Sequence, residues 1–328
     1  MINYTPDYES QPALLNEYLR YIDVIINRSQ KTVFEYSINL REFILFIMDD
    51  KNISNNGTAD MRLCDEEFFK NITLEDAYKY LSYCKNVKNN NPSTRARKVV
   101  AIRQFFKYLS DNKQILQNNP MKVLDSPKTK KSLPKYLTLD QSIDLLSVVD
   151  GKNKERDYAI LTLFLNCGLR LSELVSLNYN DIKSDKSMRV IGKGNKERII
   201  HLNDACVYAI NSYMRVRPKD GVVDKNALFL SARLQRISPK TVQHIVKTFL
   251  KKAGLDEAGM STHKLRHTAA TLMYQHGDTD VLVLKEILGH ENLSTTEIYT
   301  HIFDEQKKSA LENNPLAKIN KINQKTNK

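Results

Sequence analysis

Cysteine is scarce and scattered: the chain has four in 328 residues, Cys64, Cys84, Cys167 and Cys206, with no Cys-x-x-Cys pair and no histidine pair nearby. This spacing suggests neither a zinc site nor a disulfide framework, so the thiols are expected to be buried or idle. Long apolar runs are missing too. The longest, residues 158–169, is too short to cross a bilayer, and there is no lipid-anchor motif or basic amphipathic terminus. A soluble cytoplasmic protein without a membrane partner is expected. Acidic side chains are the third shortage: 38 Asp and Glu against 50 Lys and Arg leave a formal net charge of +12. Such a surface attracts polyanions, nucleic acid first among them.

The chain is long for one hydrophobic core and comfortable for two. Residues 1–78 hold 7 basic and 14 acidic side chains, whereas residues 79–135 hold 14 basic and only 2 acidic. Attraction for an anion is therefore concentrated in one stretch. Within it residues 93–109 read as an amphipathic helix, with Val99, Ile102, Phe106 and Leu109 on one face. Arg95, Arg97, Lys98, Arg103 and Lys107 are the candidate phosphate contacts on this helix. Helical patterns also cover 14–26, 32–48 and 74–84, the last opened by Thr73 with Asp76 three residues on. The expected organisation is a helical domain over 1–119, a basic proline-containing linker over 120–137, a second domain over 138–313 and a mobile tail over 314–328. The second domain is mostly helical, with helices predicted over 239–253, 263–276 and 281–288. A β-hairpin interrupts it at 188–202, where two β-branched runs flank a Gly-Lys-Gly-Asn turn.

Four segments of that domain carry side chains suited to chemistry. In CGLRLSEL, residues 167–174, Arg170 opens a helix straight after a very apolar one and Glu173 lies on its face. By themselves the two read as an internal brace at least as readily as an active-site pair. Lys193 on the hairpin turn fits a mobile proton donor or a plain surface charge. In THKLRHTAAT, from residue 262, His263 and Arg266 share the first turn of a helix, where free N–H groups suit a phosphate. His263 and His267 lack a third metal ligand, so no metal is expected and His267 is assigned to a buried structural hydrogen bond. In ILGHENLSTTEIYTH, residues 287–301, Gly289 reads as a helix end, His290 as the next turn, and Tyr299 follows nine residues later.

Taken in order, CGLRLSEL, GKGNKER, HKLRHTAAT, LGH and IYTH resemble the motifs of the tyrosine recombinases, over about half the chain. The compact layout, the GKGNKER hairpin and the NPLA tail resemble the Xer group of bacteria. The resemblance implies a mainly α, two-domain DNA clamp: a helical SAM-like core-binding domain, then a mostly helical catalytic domain with a small antiparallel β-sheet. It implies Tyr299 as the nucleophile that forms a 3′-phosphotyrosine, with Arg170, Lys193, His263, Arg266 and His290 completing the catalytic set and Glu173 and His267 supporting it. No cofactor is implied. The partner is a double-stranded DNA recombination site, held by a homotetramer on two sites or a heterotetramer with a second recombinase, with residues after His301 suited to link protomers. Chromosome or plasmid dimer resolution is the expected role. A mobile-element integrase or invertase would share the chemistry. A type IB topoisomerase-like enzyme and a non-catalytic DNA-binding protein are the readings of another class.

Overall fold

A computed structural model describes residues 4–53, 60–128, 135–192, 195–256, 259–276 and 280–289. Lys193, His290, Tyr299 and the 314–328 tail lie outside them. The chain divides into two compact units, Met1–Lys131 and Ser132–Lys328, each with its own hydrophobic core. Both are built mostly of helices. Among the described residues no helix is long and apolar enough to cross a membrane.

The first unit comprises α1 (Ala13–Arg20), α2 (Gln30–Asp50), the short α3 (Glu66–Lys70), α4 (Leu74–Asn86) and α5 (Pro92–Lys107). Side-chain caps set where most of them begin. Ser29, Asp65, Thr73 and Asn91 each accept the backbone N–H three residues on, and the Asp76 carboxylate returns the bond to the N–H of Thr73. The 14–26 and 93–109 patterns each contain an α-helix that passes into a π-helical turn, at Tyr21–Ile25 and Tyr108–Asn112. Inside, Phe43 of α2 meets Tyr80 of α4 and Phe106 of α5 edge-on, with ring centres 5.2 and 6.3 Å apart.

Helix α5 presents Arg97, Arg103 and Lys107 to solvent, while half-buried Arg95 donates from Nη1 to the Asn90 carbonyl at 2.8 Å. Lys98 corrects the sequence expectation of a phosphate contact. It is 4% exposed, and its ammonium pairs with Glu42 of α2 and donates to the Tyr80 hydroxyl at 3.2 Å. One position before Val99, Lys98 sits at the edge of the apolar stripe, so its stem packs inward and its buried charge needs a partner.

The linker expected over 120–137 is narrower in the described residues. Met121 and Leu124 are buried in the first core, and Leu137 belongs to the second, its N–H donating to Thr268 Oγ1 at 3.0 Å.

The second unit runs α6 (Leu139–Ser147), α7 (Lys154–Cys167), α8 (Leu171–Ser176), β1 (Ser187–Ile191), β2 (Glu197–His201), α9 (Asp204–Val216), α10 (Pro239–Lys252), α11 (Thr262–His276) and α12 (Val281–Leu288). Thr138 and Gln141 close a reciprocal cap on α6. The hairpin pairs Ser187 with His201 and Ile191 with Glu197, antiparallel. Helix α7 packs against both α9 and α11 and is buried almost from end to end, which is why its sequence has no polar face. The sequence reading omitted α9, although Asn203 caps it and Cys206, Ala209, Ile210 and Tyr213 form its buried face. All four cysteines are buried and free.

Candidate active site

Helix α7 stops at Gly168, whose left-handed backbone (φ 58°) closes on the Phe164 carbonyl at 3.2 Å. A Cβ at this position would stand 2.7 Å from Leu288 Cδ2 of α12 and 3.5 Å from Ala269 Cβ of α11. Only glycine combines that conformation with so close an approach of neighbouring helices. The chain then extends to Arg170, the N-cap of α8, and the third residue of that helix, Glu173, reaches back to accept the Arg170 N–H at 2.8 Å. The motif CGLRLSEL is thus a helix stop, a sharp turn and a helix start, with its charged pair held at the turn.

Glu173 is the centre of the site. Its side chain is 2% exposed, and both carboxylate oxygens are shared among arginines from separate elements. Arg170 Nη1 donates to Oε1 at 2.7 Å. Arg198 of β2 grips both oxygens, Nη1 to Oε1 and Nη2 to Oε2, each at 2.9 Å. Arg266 Nη1, from α11, stands 3.8 Å from Oε2. Burial works to raise the Glu173 carboxyl, but the bonds from Arg198 and the Arg170 N–H overcome it and hold the group at about 2. Glu173 is therefore an anion near neutral pH. Three guanidinium groups around one carboxylate leave this group of four with a net positive charge.

The same arginines hold the end of α12. Arg198 Nε donates to the Ile287 carbonyl at 2.9 Å, Arg266 Nη2 to Leu288 at 2.6 Å and Arg170 Nη2 to Gly289 at 2.9 Å. A helix end leaves its last carbonyls without intrahelical partners and carries partial negative charge, so three cations there satisfy both needs. Arg266 Nη1 also donates to the Gly168 carbonyl at 2.6 Å, fastening α11 to the end of α7. Gly289 has φ 63°, and a Cβ on it would lie 3.1 Å from Arg198 Nη1.

Arg170, Glu173 and Arg266, up to 96 positions apart in sequence, are therefore brought together. His263 is exposed on the first turn of α11, three residues before Arg266. His267 is half-buried rather than buried, and burial, reinforced by the Arg266 charge, lowers its imidazole from the ordinary value of 6.5. Lys193, His290 and Tyr299 lie outside the described residues, although the residues preceding two of them are in the site. Gly192 comes beside Glu173, since a Cβ there would be 3.7 Å from Oε1, and Gly289 directly precedes His290. Arg198 was missed in the sequence, where its only signal was its place in the same GKGNKER run as Lys193.

Residues 135–306 match the phage integrase family. The tyrosine recombinase XerC of Caldanaerobacter subterraneus subsp. tengcongensis is 49% identical over 310 residues, covering 93% of this chain and 88% of the relative. The tyrosine recombinase XerD of Haemophilus influenzae is 36% identical over 303 residues, covering 88% and 96%. Among solved structures, the XerH site-specific recombinase bound to a palindromic difH substrate shares the fold, with a TM-score of 0.70 at 20% identity over 91% of this chain and 83% of that one. With a match to XerC over most of both chains on one side and an arginine-ringed site inside the matched region on the other, the chain belongs to the phage integrase family, as a tyrosine recombinase that breaks and rejoins DNA.

Proposed function

We propose that the chain carries out Xer-type site-specific recombination in the cytoplasm, resolving chromosome or plasmid dimers, with Tyr299 as its nucleophile. The observation that carries the residue assignment is the arginine cluster on Glu173. In-line displacement at a phosphodiester builds negative charge on the non-bridging oxygens, and preorganised guanidinium groups are suited to meet it. Arg170 and Arg266 take that role. His263 and His290 add donors to the same oxygens or carry the proton of the nucleophile. The Tyr299 phenol loses its proton as its oxygen bonds to phosphorus, while the 5′ oxygen departs and takes a proton from Lys193. The products are a 3′-phosphotyrosine and a free 5′-hydroxyl. Because the ester bond replaces a phosphodiester, the hydroxyl of a partner strand reverses the step without nucleotide hydrolysis, through a Holliday junction. Two duplexes exchanging strands require four protomers, either identical or paired with a second recombinase.

The test uses a duplex site selected for tight binding from a random-sequence pool, placed twice in direct repeat on a supercoiled plasmid. Resolution into two circles is expected, with no relaxation of a plasmid lacking the sites. Relaxation of the site-free plasmid without resolution would replace recombinase by topoisomerase.

Residues 1–119 form the core-binding domain in this reading, and residues 138–313 the catalytic domain. Arg97, Arg103 and Lys107 of α5 hold backbone phosphates, so Arg103→Ala should reduce the salt dependence of binding by about one counterion in the log-log slope. Lys98→Met should leave that slope unchanged. It should instead lower the melting temperature of the protein, because Glu42 loses its partner. Gel-shift titrations at several salt concentrations, beside thermal melts, check both outcomes.

A further inference from the structure

Every side-chain nitrogen of Arg198 is engaged inside the cluster: the three go to the Ile287 carbonyl and to the two oxygens of Glu173. Its side chain is 13% exposed, against 30% for Arg170. Arg170 can therefore meet a phosphate arriving from solvent, whereas Arg198 is committed to the carboxylate and the helix end. Glu173 needs that commitment. Without it, the buried carboxylate would draw its counter-charge from Arg170 and Arg266 alone.

We propose that Arg198 is a positioning residue for DNA cleavage: its two-pronged pair with Glu173 neutralises the carboxylate, so that the charge of Arg170, the most exposed arginine of the cluster, acts on the scissile phosphate instead. The inference rests on the proposed role of Arg170. Its second effect is a tether. Through Nε it ties β2 to the last turn of α12, one turn of chain ahead of His290, so the hairpin and the helix end keep a common register.

Two sequence-independent facts make the charge the deciding factor. A bidentate guanidinium–carboxylate pair satisfies both partners at once, and an unpaired buried carboxylate near a phosphate opposes the charge that develops during cleavage. The role is therefore expected to vanish when the carboxylate does.

The experiment is single-turnover cleavage of a nicked suicide duplex carrying the selected site, with melting temperature and duplex affinity measured on each variant. Arg198→Met keeps the stem against Gly289 and removes the charge. It should cleave about 30-fold more slowly than wild type while binding the duplex within about threefold. Arg198→Lys, which restores charge without the fork, should cleave at least about threefold faster than the Met variant. The double variant Glu173→Gln with Arg198→Met should cleave at least about fivefold faster than Arg198→Met alone, since a neutral amide requires no compensation. A double variant no faster than Arg198→Met, or a Lys variant as slow as it, overturns the proposal and leaves Arg198 as a brace. Failure of the wild type to form an adduct would instead strike the reading of Tyr299, so the two are told apart in one assay.

Discussion

Tyr299→Phe should bind the selected duplex with wild-type affinity and form no covalent adduct with a nicked suicide substrate, even after long incubation. The substitution removes one oxygen atom and leaves the ring, so binding and folding have little reason to change. Chemistry has every reason to. The phenolic oxygen is the only atom assigned to attack phosphorus, and a phenyl ring has no lone pair to donate. An ordinary tyrosine, with a pKa near 10, must give up its proton during attack, a loss that cationic surroundings favour. The assay is denaturing electrophoresis of labelled DNA, followed by mass spectrometry of the adduct peptide from the wild type. An adduct that persists in the variant, or one that maps to another residue, removes Tyr299 from the mechanism.

Arg266→Ala should have the second-largest effect, slowing single-turnover cleavage by about 10²–10³-fold, as for the loss of a preorganised donor to a developing oxyanion. Its side chain is 6% exposed and donates to the Gly168 and Leu288 carbonyls. Removal therefore costs stability as well, about 1–3 kcal/mol for each buried carbonyl left without a partner. Arg266→Lys should recover little of the rate, because one ammonium cannot span two carbonyls and a phosphate as a planar fork does. Cleavage must be compared well below the melting temperature of each variant, with duplex affinity measured alongside. A rate within about threefold of wild type for the Ala variant, folded and bound, would exclude Arg266 from transition-state stabilisation.

The contrast between Arg266 and Lys98 shows how far local pattern carries a functional reading. Arg266 shares a helix turn with His263 inside a dense polar motif, so its importance is visible within five residues. Lys98 sits among Arg95, Arg97 and Arg103 and looks like one more solvent-facing cation. Its partner Glu42 is 56 positions away, and no spacing rule links them. Arg198 had no role in the sequence reading, yet it bonds Glu173 25 positions upstream and Ile287 89 positions downstream. The omission of α9 has a different cause: Cys206, Ala209, Ile210 and Tyr213 have helical spacing, but two of the four are weak apolar signals in a segment that also holds asparagine and aspartate.

By itself the sequence determined the helical starts at Thr73 and Thr138, the hairpin around residues 192–195, the stop at Gly289 and the ordered motifs that name the family. These depend on hydrogen bonds and backbone angles that span a few residues, so short-range spacing is enough to express them. Only the tertiary structure decided that Glu173 is the common partner of three arginines, that those arginines hold three successive carbonyls at the end of α12, and that Lys98 is buried and paired with Glu42. Charge pairing inside a folded unit depends on which distant elements pack together and how much water they exclude.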